Sequence, residues 1–102
     1  MMFYNVLELK NLVDYKENLF DKIVLIERGE SSLSAIALKK QEVLDSHISV
    51  CDACAFVYDG EAEFHFNAEK FVVKKGELIM FEKEKEYKVL ALKDTKFLLI
   101  KI

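Results

Sequence analysis

From Gly60 onward apolar and polar positions alternate one by one. Ala62, Phe64 and Phe66 fall on one side, and Glu61, Glu63 and His65 on the other. This two-residue repeat marks an extended strand with one face buried and one wet, which leaves His65 on the solvent side with the two glutamates. Upstream, residues 19–28 (LFDKIVLIER) are rich in aliphatic and β-branched side chains and stop at Gly29. They predict a strand followed by a turn at Arg28–Ser31. In residues 32–39, Leu33, Ala35 and Ala37 oppose Ser34, Ile36 and Leu38, so a second strand closes a hairpin. Further short strands are expected at 42–47, 53–58, 71–73, 78–81, 87–92 and 97–102. The turns fall at Asp59-Gly60, Asn67–Lys70, Lys74–Gly76 and Lys93-Asp94, and Glu82–Glu86 forms a charged loop. Residues 3–16 fit a short helical turn or an edge strand equally. About ten short strands with turn signals every 8–12 residues predict an all-β sandwich or barrel and argue against a βαβ protein.

Two of these strands are apolar on both sides. Ala53, Ala55 and Val57 back onto Cys54, Phe56 and Tyr58, and Phe97 and Leu99 back onto Leu98, Ile100 and Ile102. A small barrel has one interior, so the second apolar face needs a cover. The cover is either the N-terminal segment 1–16 or a second copy of the chain, and the expectation is a homodimer.

The 102 residues fit one domain, 1–102. Net charge is −3 with lysines and arginine dispersed, which argues against nucleic acid, whose phosphates demand clustered positive charge. No apolar run approaches the roughly 18 residues of a membrane span. The N-terminal residues lack a basic region followed by an apolar core, so the cytoplasm is the expected compartment. Cys51 and Cys54 form a C-x-x-C, but residues three apart on a strand are about 10 Å apart, beyond the roughly 7 Å that a disulfide spans. A redox pair belongs at a helix N-terminus, and zinc needs further ligands. The reading is an apolar, buried Cys54 and a Cys51 near a barrel mouth.

The spacing of the central stretch resembles a small single-domain cupin, a double-stranded β-helix or jelly-roll barrel. The family's first motif is G-x5-H-x-H-x3,4-E-x6-G. Against it, Gln41 stands at the first glycine, His47 at the first histidine, Ser49 at the second, Ala53 at the glutamate and Gly60 at the closing glycine. In the second motif Gly76-Glu77 opens correctly, while Glu82, Tyr87 and Ala91 replace the proline, histidine and asparagine. The resemblance covers about residues 32–102. It implies a barrel fold and a metal site of three histidines and a glutamate, of which this chain keeps His47 alone. The expected cofactor is therefore none. The alternative is a divalent transition metal, held if at all by His47 with Cys51.

Three functions follow. The first is a metal-free barrel that binds or senses a small ligand near His47, Ser49, Tyr87, Val57 and Val89. The second is a divergent metal-dependent enzyme of dioxygenase or isomerase type. The third is an interaction module whose barrel is filled by its own side chains. No Ser-His-Asp set, paired catalytic carboxylates or Gly-rich phosphate loop marks a catalytic residue.

Overall fold

The computed structural model describes residues 3–17 and 19–102. Met1 and Met2, at the start of the 1–16 segment, lie outside the described residues, as do Asn18 and the side chain of Ser46. Nine strands are present among the described residues, against about ten expected: β1 Asp21–Arg28, β2 Ser31–Leu38, β3 Val43–Ile48, β4 Ala53–Asp59, β5 Glu61–Phe66, β6 Glu69–Lys74, β7 Leu78–Phe81, β8 Glu86–Ala91 and β9 Thr95–Lys101. The N-terminal segment contributes a single 3-10 turn, Leu9–Asn11. Among the described residues no helix is long and apolar enough to cross a membrane.

The strands form two antiparallel sheets, one ordered β1-β2-β9-β4-β7 and the other β3-β8-β5-β6. Their inner faces meet around Phe64 and Phe97, whose rings pack edge to face at 5.7 Å. Ile36, Leu38, Val57 and Val89 fill the same interior. The hairpin at Asp59-Gly60 places Gly60 at φ 77, a left-handed conformation that favours glycine. A Cβ there would run into the carbonyl of Asp94 and come within 2.8 Å of the Thr95 hydroxyl.

β2, β4 and β9 are apolar on both faces, and the structure gives the outer faces two different surroundings. Over β2, the N-terminal segment lays Val13 (2% exposed) against Ala35 and Ala37, with Leu12, Tyr15, Ile23 and Leu98 around them. Polar contacts pin this strap. Lys96 Nζ donates to the Lys10 carbonyl at 2.9 Å and lies 4.9 Å from the centre of the Tyr15 ring. The Tyr15 hydroxyl donates to Asp59 Oδ2 at 2.7 Å. Burial and then the Asp59 carboxylate push the Tyr15 phenol well above the ordinary tyrosine range. Beyond this end of β4, the strap does not reach over the rest of β4 or over β7. Cys54, Phe56 and Ile100 are half-buried there, and Leu78, Met80 and Ile102 are exposed. Cys54 is thus not the buried thiol expected, because its strand turns it to the outer face. Both cysteines are free.

Candidate functional site

His47 lies directly opposite Tyr87 in the β3–β8 ladder, so the two side chains share the face turned toward the other sheet. Their ring centres are 6.0 Å apart. From Tyr87 a run of rings crosses between the sheets. Phe81 of β7 lies 4.7 Å from Tyr87, Phe66 of β5 lies 5.2 Å from Phe81, and Phe71 of β6 lies 6.0 Å from Phe66. These separations suit tilted and edge-on aromatic pairs. Tyr87 is buried, whereas His47 is exposed on its open side. Burial raises the Tyr87 phenol, which stays protonated near neutrality. His47 moves the other way: burial lowers its pKa most, Lys101 and Lys22 lower it further, and Asp45 opposes them. The pair thus presents a neutral phenol and an imidazole biased toward its neutral form.

Beside these rings, a cavity of about 580 Å³ opens where β6 and β7 flank the gap between the sheets. Phe66, Phe71, Ile79, Met80 and Phe81 give it apolar walls, and Asn67, Glu69, Glu82 and Lys85 stand around it.

The other residues singled out in the sequence lie elsewhere. Val57 and Val89 are fully buried in the packed interior. Ser49 is buried, and its hydroxyl both donates to the Cys51 carbonyl (2.8 Å) and accepts from the Cys51 amide (3.1 Å), a local turn that commits it. Cys51 Sγ contacts the Glu30 carbonyl at 3.3 Å, in the β1–β2 turn. Tyr58 faces outward on β4, with its hydroxyl buried and without a hydrogen-bond partner. His65 is less open than its alternation implies: its side chain is 28% exposed, and Nε2 lies 2.9 Å from Glu63 Oε1.

No family model matches the sequence, and no curated protein does. Solved structures do. A conserved protein of unknown function from Streptococcus pyogenes superposes with a TM-score of 0.90 at 22% identity, over 100% of this chain and 90% of that one. A cupin superfamily protein from Desulfitobacterium hafniense gives 0.88 at 19% identity, over 97% of this chain and 91% of that one. The fold is that of the cupins. KdgF from Halomonas shares it more distantly, with a TM-score of 0.73 at 14% identity over 94% of this chain and 91% of that one.

The cupin metal site does not fit these residues. Of the four ligand positions, His47 alone carries a usual donor. Ser49 is turned to its own backbone, Ala53 offers a methyl group, and Tyr87 is a buried phenol. Among the described residues, no three His, Cys, Asp or Glu side chains come together in a way that could hold a metal. The residues that shape the cupin mouth instead are Phe66, Phe71, Ile79 and Phe81. Their sequence signal was that each is apolar and lies on a strand beside a turn. Alternation alone assigns such residues to a face, not to an opening.

Proposed function

We propose that this cupin barrel binds a small organic ligand with a flat apolar body at its aromatic mouth, without a metal. The cavity between β6 and β7 carries the reading. Its volume falls within the usual range for small-molecule sites, and aromatic and aliphatic side chains line it beside a few polar ones. Phe66 and Phe81 would stack on the ligand body. Tyr87 touches both rings, and His47 behind it supplies an imidazole biased toward its neutral form, which can donate or accept a hydrogen bond. The role is binding or sensing, in the cytoplasm.

The filled interior gives the interaction-module reading its own support, since Val57, Phe64, Val89 and Phe97 are fully buried. Nuclear magnetic resonance separates the two. A panel of small aromatic carboxylates is titrated into labelled protein, and shifts are mapped. The ligand reading expects saturable shifts at Phe66, Phe81, Tyr87 and His47, weakened about tenfold in Phe81→Ala through loss of stacking. If no compound moves these signals, the barrel is a filled scaffold. Purified protein is expected to carry less than about half an equivalent of transition metal, because three family ligands are missing. Stoichiometric metal that disappears in His47→Ala would overturn the metal-free assignment.

A further inference from the structure

The outward face of the four-stranded sheet carries a second constellation that the barrel mouth does not use. β5 is flanked by β6 on one side and β8 on the other. In both ladders the residue directly opposite His65 is a lysine: Lys70 on β6 and Lys88 on β8. Residues directly opposite in antiparallel strands share a face, so an imidazole stands in a row between two ammonium groups. Glu63, two residues earlier on the same strand face, lies 2.9 Å from His65 Nε2. An ionised carboxylate only accepts, so Nε2 is the donor in that bond, and in the protonated ring Nδ1 carries a hydrogen as well and can donate to an anion. Among the described residues, neither Lys70 nor Lys88 makes an ion pair, while five other lysines do.

A cavity of about 490 Å³ lies over this row. His65, Lys70 and Lys88 line it with Glu86, Tyr87, Phe66 and the β5–β6 turn from Asn67 to Glu69. Glu69 pairs opposite Phe66 and so belongs to the inner face, away from the row. Glu63 is engaged by His65. Glu61, further along the same strand face, pairs with Lys93, and of the carboxylates lining the cavity only Glu86 shares the face of Lys88, so the two lysines with a protonated His65 outweigh Glu63 and Glu86 by one charge.

We propose that Lys70, His65 and Lys88 form a binding site for a small oxyanion, a phosphate or a carboxylate, on the outer face of this sheet. The flexible lysine stems let both ammonium groups reach one anion above the imidazole, and Glu63 holds the ring in place beneath it. The charged row lies on the sheet face opposite the barrel interior and meets the mouth cavity only at the shared stretch from Phe66 to Glu69.

Inorganic phosphate and succinate are titrated separately into the full chain while the ring signals of both histidines are followed. The expected result is a saturable shift of His65 with at least one anion and no shift of His47. Phosphate alone would assign a phosphorylated ligand, and succinate alone a carboxylate. The double variant Lys70→Gln/Lys88→Gln should weaken that binding about tenfold or more, as loss of charge-assisted hydrogen bonds requires. Lys75→Gln, in the neighbouring turn, should leave it unchanged. The proposal is overturned if neither anion moves His65, or if the folded double variant binds as the natural chain does.

Discussion

His47 is held where a positive charge is disfavoured, by burial first and by Lys101 and Lys22 next. Its folded pKa is lowered, so the unfolded chain binds more protons between that value and about 6.5, the ordinary histidine value. The resulting stability is complete above about pH 6.5 and is lost as pH falls toward the folded value. The urea midpoint of the natural chain should therefore drop between about pH 7.5 and 5.5 more than that of His47→Gln. A ring titration with its midpoint above the ordinary value would refute this. Gly60 gives a prediction of a different kind. Alanine there meets both a left-handed backbone and the Asp94 carbonyl, whereas Gly76, also at positive φ, has open space around it. Gly60→Ala should cost about 2–4 kcal/mol and Gly76→Ala about 1 kcal/mol in urea unfolding. Equal losses would mean that the close approach to Asp94 is easily relieved.

At the scale of elements, the N-terminal strap covers the outer face of one sheet around Ala35 and Ala37 through Val13. Truncating that side chain removes two buried methyl groups from contact with Ala35 and Ala37, so Val13→Ala should cost about 1–2 kcal/mol. An unchanged urea midpoint would show that the strap is not held by its apolar contacts. The strands themselves were legible in the sequence. Alternation set the faces of β5, and continuous apolar runs marked β4 and β9 as two-sided. Gly29, Gly60 and Gly76 all lie at positive φ, at the turns the sequence predicts. The site was less legible. Alternation tells which way a side chain faces but not how far along the barrel it lies. Tyr87 therefore falls at the mouth, while Val89, two residues on with the same orientation, is sealed in the middle. The cavity walls come from β5, β6 and β7, and only the folded register shows that Phe66, Phe71 and Phe81 converge. The strap was ambiguous because a single 3-10 turn leaves almost no periodic signal.

For the whole molecule, the uncovered outer face of β4, β7 and β9 bears on assembly. We expect a second copy to cover it, sheet against sheet, because Leu78, Met80 and Ile102 are exposed beside half-buried Phe56 and Ile100. Light scattering at micromolar concentration should give twice the chain mass of 11.9 kDa. Ile100→Glu or Phe56→Glu should shift the protein toward monomer or aggregate, and Glu84→Lys, in the charged loop, should leave the mass unchanged. A clean monomer in the natural chain would mean that this face tolerates water.

The position of β9 has a consequence for how the chain reaches this state. The last strand lies between β2 and β4 in the middle of the five-stranded sheet. A nascent chain that has not yet reached Thr95 holds the β1–β2 hairpin and the β4–β7 pair as unconnected pieces, each with open hydrogen-bonding edges. Chaperones that shield such edges during synthesis should therefore engage this chain until β9 emerges. Closure then depends on pairings between residues far apart in sequence, which places refolding on the millisecond-to-second scale of β-rich domains rather than the microsecond scale of helical ones.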